Sequence, residues 1–343
     1  MTRQWKVAVL GATGLVGDTM IKVLEERKFP VAELFPLASN RSLGKSVEFN
    51  GKKVPVIDVD TFDFANADIG LFSAGGEISR IYAPKAAAAG CVVIDNTSEF
   101  RYDEDIPLVV PEVNPEAIAQ FKQRRIIANP NCSTIQMLVA LKPLHDAAKI
   151  ERINVATYQS VSGAGKEAVE ELAAQSVALM SGKGPVKPKV VAAQIAFNVV
   201  PQIDKFQDNG YTKEEMKMFW ETRKIFNDPE IRVNATAVRV PVFFGHSEVV
   251  SIETARKLTV AEAHKLLDKA PGVKVIDTRK PGGYPTAAVE AANDDRVFVG
   301  RIREDISHER GLNLWIVSDN IRKGAATNAI QIAEYMMGAG LIA

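Results

Sequence analysis

Short apolar runs alternate with helical periodicity along the first third of the chain. Residues 5–10, 32–38, 69–72 and 91–95 form compact apolar runs typical of strands, and helical spacing of apolar residues follows the first run and appears again at 79–89. Repeated β-turn-α units of this kind indicate a parallel sheet with helices on both faces. We therefore predict a Rossmann-like, doubly wound α/β domain in this part of the chain.

The pattern changes after residue 148. Residues 153–161 alternate apolar and polar positions like a half-buried antiparallel strand, and a final helix, 325–337, has an apolar face that predicts packing elsewhere in the protein. The stretch between them predicts a second, α+β domain with a largely antiparallel sheet. Its further predicted strands are 236–240, 243–254, 296–302 and 313–317, and its predicted helices are 167–180, one beginning at a capping Thr212, and 261–269.

The balanced overall charge narrows the classes of partner. The 343 residues contain 42 Lys and Arg against 42 Asp and Glu, so no global field favours nucleic acid or an acidic membrane surface. No apolar run reaches membrane-spanning length, and the N-terminus has no signal-peptide pattern. The two cysteines, Cys91 and Cys132, cannot form a secreted disulfide framework, and Cys91 opens a wholly apolar strand typical of a core. We expect a cytoplasmic protein with small-molecule ligands and no metal site.

Three glycines separate the first predicted strand from the helix that follows it. Gly11, Gly14 and Gly17 lie in the strand-turn-helix context of a dinucleotide-binding fingerprint. Glycines let the backbone turn tightly and approach a pyrophosphate, which main-chain N–H groups at the helix N-terminus can bind. The spacing is G-x-x-G-x-x-G rather than G-x-G-x-x-G, and a plain structural turn is the alternative interpretation.

The residues after the second predicted strand favour NADP over NAD. An NAD-preferring site would place a carboxylate there to bind the ribose 2′-OH. The chain instead has Ser39, Arg41 and Ser42, a cation and two hydroxyls that suit a 2′-phosphate, although an ordinary polar loop has the same composition. Ser73 follows the next strand, at the carboxyl edge where such sheets bind ligands.

The turn 129–134, Asn-Pro-Asn-Cys-Ser-Thr, places Cys132 between a predicted strand and a predicted helix. Pro130 and the short polar side chains favour a turn that caps the helix start. Main-chain N–H groups and the helix dipole at that position favour a thiolate, which is a nucleophile. A buried structural cysteine is the alternative.

A cysteine nucleophile needs a nearby acid or base, and four histidines are available. His246 follows Gly245 between two apolar strand segments, whereas the other three lie in helical patterns or a charged loop. Arg101 at a polar strand exit is either a solvated surface charge or an anion clamp. Glu214 and Lys217 share a helix face, a spacing that alone indicates only an exposed ion pair.

A cysteine combined with a nicotinamide cofactor favours one class of chemistry. The thiolate attacks an aldehyde, the hemithioacetal loses hydride to NADP, and the resulting thioester is released to an acceptor. A hydrolytic cysteine enzyme would have no use for a dinucleotide. Phosphorolytic release needs a bound phosphate, for which Arg101 and Lys217 are the candidate cations.

Seven motifs spread over the whole chain give it a specific resemblance. They are GATGLVG, SEFR, NPNCST, YQSVSGAG, EEMK, RVPVFFGHSE and SDNIRKGAATNAIQIAE. In this set and order the chain resembles the bacterial aspartate-β-semialdehyde dehydrogenases. The resemblance implies NADPH-dependent reduction of aspartyl-β-phosphate to aspartate semialdehyde with release of phosphate. This reaction supplies the synthesis of lysine and diaminopimelate, threonine, methionine and isoleucine.

The resemblance also implies roles for individual residues. Cys132 matches the acyl-thioester nucleophile and His246 the acid/base residue, while sequence alone leaves open whether Glu214 or Glu215 faces the substrate. The matched substrate and phosphate residues are Gln159, Arg239 for the α-carboxylate, Glu214 for the ammonium, Lys217 and Arg101 for phosphate, and Asn131 for the reacting carbonyl. The matched cofactor contacts are Thr13, Gly14, Leu15, Val16, Arg41, Ser42, Ser162, Gly163 and Asn320.

The same resemblance implies a domain organisation, and two other functions are alternatives to it. It implies an NADP-binding domain of residues 1–131 plus 320–343, a catalytic and dimerisation domain of residues 132–319, and a homodimer. One alternative is the related N-acetyl-γ-glutamyl-phosphate reductase, whose substrate has a blocked amino group that Glu214 could not pair with. The other is a non-catalytic NADP-binding paralogue, which would have no need of a matched nucleophile and base.

Overall fold

The chain forms two structural units, and the second is inserted into the first. The computed structural model describes residues 3–342. One unit comprises Met1–Asn131 with Ala325–Ala343, and the other comprises Cys132–Gly324. The chain therefore leaves the first unit immediately before Cys132 and returns to it just after Gly324.

A parallel sheet of six strands forms the first unit. Its order is β5-β2-β1-β6-β7-β8 with every neighbouring pair parallel, which confirms the predicted doubly wound fold. The strands are β1 Trp5–Leu10, β2 Val31–Ala38, β5 Ile57–Asp58, β6 Ile69–Phe72, β7 Val92–Asp95 and β8 Ile126–Ala128, with a hairpin of β3 Ser46–Phe49 and β4 Lys52–Pro55. The helices are α1 Leu15–Glu26, α2 Gly76–Ala88 and α7 Thr327–Gly338.

The strand order places the first glycine turn at the reversal point of the sheet. β1 lies between β2 and β6, so the segments after β1 and β6 meet at the carboxyl edge. This topological switch point is where open α/β sheets bind ligands. The apolar face of α7 lies in the core of this unit through Ile330 and Ala333, with Met337 packed against it, and Cys91 is fully buried as expected.

A mixed sheet forms the second unit, in the order β10-β9-β11-β14-β13-β12. Its three central pairs are antiparallel, as the sequence predicted for most of the sheet. The outer pairs, β9 with β10 and β12 with β13, are parallel. The strands are β9 Ile150–Gln159, β10 Arg232–Arg239, β11 His246–Thr254, β12 Val273–Val275, β13 Val297–Glu304 and β14 Gly311–Ser318. The helices are α3 Cys132–Ala148, α4 Lys166–Met180, α5 Lys213–Phe226 and α6 Val260–Leu267.

Many element boundaries differ from the sequence prediction by a few residues, and two of these differences have a clear local cause. β11 begins at His246 rather than Phe243, because Gly245 has a φ of +86° and an added Cβ there would lie 2.9 Å from the main-chain oxygen of Ala287. α7 begins at Thr327 because a π-helical turn, Arg322–Ala326, precedes it.

Within residues 3–342, no helix combines the length and apolar character needed to cross a bilayer. The same residues contain no group of three or more His, Cys, Asp or Glu side chains able to hold a metal ion.

We predict that Gly17→Ala strongly destabilises the protein. A Cβ at Gly17 would lie 2.1 Å from the main-chain oxygen of Gly11, and the backbone would have to move to relieve this clash. Overpacking of this kind costs about 3 kcal/mol, measurable as a lower midpoint in urea unfolding. Gly338→Ala in α7 is the control, because an added Cβ there contacts nothing within 4 Å and should leave the midpoint unchanged or higher. Equal midpoints for the two variants would contradict the prediction.

Candidate active site

The glycine turn of the first unit is closely packed. Gly11 has a φ of +89°, and an added Cβ would lie 2.5 Å from the main-chain oxygen of Ser73, the residue after β6. The Gly14 main-chain N–H donates to the Gly11 oxygen at 2.9 Å, and Gly14 is the N-cap of α1 without a capping side chain. The first turn of α1, Leu15, Val16 and Gly17, therefore presents a helix N-terminus with glycine backbone before it, a geometry suited to a pyrophosphate.

The segment after β2 lies beside this turn. Ser39 precedes a 3₁₀ turn, Asn40–Ser42, and the Ser42 hydroxyl is 3.1 Å from the hydroxyl of Thr13. Arg41 is exposed in the same turn. Two hydroxyls and a cation therefore lie beside the helix N-terminus, and this donor set fits a nicotinamide dinucleotide.

Arg101 is buried in the first unit, which excludes the solvated surface charge considered from sequence. Its Nε donates to the Thr97 main-chain oxygen at 3.0 Å, and one Nη donates to that of Asn96 at 2.8 Å. Nearby Asp95 is also buried; burial raises its pKa, and hydrogen bonds from neighbouring hydroxyls oppose the effect. Asn131, predicted to hold a reacting carbonyl, is 6% exposed at the end of this unit.

Cys132 is the first residue of α3, as the sequence predicted. Its side chain is partly exposed. Gly324 packs directly against it, since an added Cβ there would lie 2.7 Å from Cβ of Cys132. The thiol therefore stands at a helix N-terminus with backbone on one side, where main-chain N–H groups favour a thiolate.

His246, the first residue of β11, is fully buried and held by Ser160. The main-chain N–H of Ser160 donates to Nδ1 of His246 at 3.1 Å. Burial, followed by the charge of Arg239, lowers the pKa of His246 to about 3, so the ring is neutral at pH 7. Because a main-chain N–H can only donate, Nδ1 must accept, and the ring proton resides on Nε2. Nε2 has no hydrogen-bond partner within the described chain.

A network of short polar side chains fixes this arrangement. Oδ1 of Asn320 accepts from the main-chain N–H of Gly245 at 2.9 Å and from the hydroxyls of Ser160 and Ser162 at 3.0 and 3.2 Å. Ser160 was not predicted as a functional residue, and a lone serine in a strand exit gives no signal for such a role. Asn320 and Ser162, matched to cofactor contacts by sequence, both use their side chains in this network.

Gly163 leaves the space in which two functional side chains meet. An added Cβ would lie 3.0 Å from an Nη atom of Arg239 and 3.2 Å from Cε1 and Nε2 of His246. The Arg239 Nη1 donates to the main-chain oxygen of Ser160 at 2.7 Å. Burial lowers the pKa of Arg239, while Glu214 and Cys132 are close enough to oppose this with negative charge.

Glu214 and Lys217 form an ion pair between a buried carboxylate and a partly buried ammonium, rather than the exposed pair that spacing alone indicated. Lys217 Nζ lies 2.9 Å from Glu214 and 3.0 Å from Asp204, a residue that the sequence analysis missed. Burial by itself would lower the pKa of Lys217, but the two carboxylates outweigh it and the pKa is raised. The Gln159 amide donates to the other Glu214 oxygen at 3.1 Å.

The structure decides between the two adjacent glutamates. Glu215 accepts from the main-chain N–H of Thr212 at 2.7 Å and of Ala237 at 3.0 Å, which completes the predicted capping box of α5. Glu214 instead points to Gln159 and Lys217. Glu214 is therefore the carboxylate of the candidate site.

The second unit thus contains a thiol at a helix N-terminus, a neutral imidazole with an N–H donor, the cations Lys217 and Arg239, and the carboxylates of Glu214 and Asp204. A nucleophile, an oxyanion donor and groups for anionic and cationic substrate parts are the components of acyl transfer. Of the remaining histidines, His145 stacks on Phe226, His264 Nε2 lies 2.9 Å from an Asp277 oxygen, and His308 Nδ1 accepts from the main-chain N–H of Arg310.

Comparison with known proteins identifies the family. Residues 6–121 match the semialdehyde dehydrogenase NAD binding domain, and residues 141–323 match the semialdehyde dehydrogenase dimerisation domain. An aspartate-semialdehyde dehydrogenase of Shewanella sp. (strain DB6705) is 62% identical over 98% of this chain and 99% of its own length.

Solved structures give the same result. Aspartate semialdehyde dehydrogenase II of Vibrio cholerae, crystallised with ASA, is 60% identical and superposes with a TM-score of 0.96 over 98% of this chain and 99% of its own. A Candida albicans aspartate semialdehyde dehydrogenase with NADP is 25% identical, with a TM-score of 0.77 over 99% of this chain and 100% of its own. The chain belongs to the aspartate-semialdehyde dehydrogenase family.

Proposed function

We propose that this chain reduces L-aspartyl-4-phosphate to L-aspartate 4-semialdehyde with NADPH and releases phosphate. The observation that carries the proposal is the cluster formed by buried Glu214, Arg239 and His246 and partly buried Lys217, in the unit that begins at the candidate nucleophile Cys132. Family membership supplies the reaction, and the cluster supplies a group for each part of the substrate.

Cys132 is the nucleophile. Its thiolate attacks the carbonyl carbon of the acyl phosphate, the bond to the phosphate oxygen breaks, and an enzyme-bound thioester forms. The position of Cys132 at the start of α3 supports this role. Asn131, the preceding residue, is proposed to orient the reacting carbonyl.

His246 acts as a hydrogen-bond donor in both steps at the carbonyl, the attack of the thiolate and the addition of hydride. With Nδ1 occupied by the Ser160 N–H, the Nε2–H is available to the oxygen that gains negative charge when a nucleophile or hydride adds. The neutral ring also keeps a second positive charge away from Arg239. The acid/base role expected for His246 is therefore narrowed to donation from Nε2 in the resting enzyme.

The charged side chains select the amino-acid end and the phosphate. Arg239 is proposed to bind the α-carboxylate, Glu214 the ammonium, and Gln159 to position the acyl chain. Lys217 and Arg101 are proposed to bind phosphate. A substrate with a blocked amino group has no ammonium for Glu214 to pair with, which disfavours the N-acetylglutamyl alternative.

The cofactor is proposed to be NADP. The bound nicotinamide supplies the hydride. In the first unit, the glycine turn with Gly11, Gly14 and Gly17 and the α1 N-terminus are proposed to bind the pyrophosphate, and Arg41, Ser39 and Ser42 the 2′-phosphate, with Ser73 beside the turn. Thr13, Ser162, Gly163 and Asn320 are kept as proposed cofactor contacts. A cytoplasmic location belongs to the same proposal, because the reaction consumes a phosphorylated metabolite and a reduced cofactor.

The first test is the reverse reaction of purified protein. We expect phosphate-dependent reduction of NADP with aspartate semialdehyde, faster than reduction of NAD and absent with N-acetylglutamate semialdehyde. Cys132→Ala should lower kcat by about 10⁴-fold or more because it removes the nucleophile. Cys91→Ala is the matched control and should stay active, since Cys91 is buried in the other unit. Turnover of only the acetylated compound, or of neither, would refute the proposal.

The second test compares adjacent carboxylates. Glu214→Gln should raise KM for aspartate semialdehyde by about 10- to 100-fold, since one lost charged hydrogen bond is worth about 1.5–3 kcal/mol. Glu215→Gln should leave KM within about threefold and lower stability by about 1 kcal/mol, because it weakens the capping box. The reverse pattern would show that the carboxylates have been assigned the wrong way round.

The match to a dimerisation domain supports a homodimer. Sedimentation equilibrium should then give about twice the chain mass of 37.3 kDa. A mass of one chain at micromolar concentration would contradict this part of the proposal.

A further inference from the structure

Glu248 is a buried carboxyl group with no role in the reaction as proposed. It lies on β11 two residues after His246, so both side chains are on the same face of the sheet. Glu248 is 0% exposed. Neither carboxyl oxygen has a hydrogen-bond partner of normal geometry in the part of the chain that the structure describes. A buried carboxyl without a counter-ion is costly and calls for an explanation.

Gln136 is the polar neighbour of this carboxyl. It lies on α3 four residues after Cys132, hence on the same helix face, and is fully buried. Its Nε2 donates to the main-chain oxygen of His246 at 3.4 Å. Since a carbonyl can only accept, Oε1 points elsewhere, and it too is unsatisfied within residues 3–342. The Gln136 amide interacts with the Glu248 carboxyl.

The Gln136 amide oxygen and the Glu248 carboxyl group can form a hydrogen bond in only one protonation state of Glu248. An ionised Glu248 offers only acceptors, whereas a carboxylic acid has an O–H that can donate to Oε1 of Gln136. Burial raises the pKa of Glu248 well above its usual range, and the Gln136 amide opposes this only in part. Burial therefore favours the acid form of Glu248 in the folded protein.

Among the described residues that flank Glu248 on β9, β14 and the first turns of α3, none carries a positive charge that would stabilise the ionised form. Opposite Glu248 are Thr157 on β9 and Ile316 on β14. α3 has no Asp, Glu, Lys, Arg or His between residues 132 and 141, so Cys132 is its only titratable group there. His246 on the same strand is neutral because burial lowers its pKa to about 3.

We propose that Glu248 is a positioning residue: its carboxylic acid donates to Oε1 of Gln136, whose Nε2 donates to the His246 main-chain oxygen, and so ties the helix of Cys132 to the strand of His246. The inference rests on the proposed roles of Cys132 and His246. It extends these roles, because the thiol of Cys132 and the imidazole of His246 lie on separate elements. The proposed hydrogen bonds connect those two elements one helix turn away from the reacting groups.

Three variants test the connection. Glu248→Gln keeps a neutral donor, Glu248→Leu keeps the volume without a donor, and Gln136→Leu removes the acceptor. We expect Glu248→Gln to keep kcat within threefold. The two leucine variants should lose roughly ten- to a hundredfold in kcat with little change in KM, because misplaced reacting groups lower the rate rather than binding. They should also slow iodoacetamide labelling of Cys132. Glu253→Gln removes a half-buried carboxylate from the opposite face of β11 and serves as control.

Thermal unfolding gives a second readout, specific to the proton. The unfolded chain ionises Glu248 above about pH 4.3, whereas burial raises the pKa of this carboxyl in the folded protein, so its contribution to stability is full below that pH and is lost as pH rises towards the folded pKa. Glu248→Gln cannot ionise. Its Tm relative to wild type should therefore increase from pH 5 to pH 8, and Glu253→Gln should show no such increase.

The outcomes separate this inference from the proposed function. Wild-type kcat in folded Glu248→Leu, or equal losses in Glu248→Gln and Glu248→Leu, would overturn it. If Glu248→Leu does not fold, wild-type kcat in Gln136→Leu would do the same. Activity retained by Cys132→Ala would refute the proposed function instead, whatever the Glu248 variants do.

Discussion

The hydrogen bond from the main-chain N–H of Ser160 to Nδ1 of His246 is the constraint on which the candidate site depends. A backbone donor cannot reverse its direction, so the ring tautomer follows from the fold and needs no carboxylate partner. Burial removes the alternative of a charged ring. The hydroxyls of Ser160 and Ser162 and the main-chain N–H of Gly245 all point to one oxygen of Asn320, so three chain segments are fixed together around the imidazole.

Charge balance is the second condition on which the candidate site depends, and it differs between the two cations of the site, Lys217 and Arg239. Lys217 is already neutralised by Glu214 and Asp204, and its raised pKa reflects a paired ammonium. Arg239 donates to a main-chain oxygen, and burial lowers its pKa. A buried cation whose desolvation is only partly compensated gains more from an arriving carboxylate than a paired one does. This difference supports Arg239 as the residue for the substrate carboxylate.

Much of the fold could be predicted from local sequence signals, whereas features that depend on non-local pairing could not. The glycine turn, the helix start at Cys132 and the capping box at Thr212 depend on neighbours within a few residues, so sequence was sufficient for them. The parallel pairing of β9 with β10 and the late start of β11 depend on contacts far along the chain, such as Gly245 against Ala287. For the same reason Ser160 and Asp204 gave no signal, since each acquires its role only from a partner brought close by folding.

The choice between Glu214 and Glu215 shows how a local rule can set a functional geometry. Successive helix residues point about 100° apart, so only one of two adjacent side chains can face a given neighbour. The N3 position of α5 commits Glu215 to the main-chain N–H of Thr212, and its second oxygen accepts from Ala237. Glu214 is thereby rotated toward Gln159 and Lys217. The cap that begins the helix thus also fixes which carboxylate enters the charged cluster.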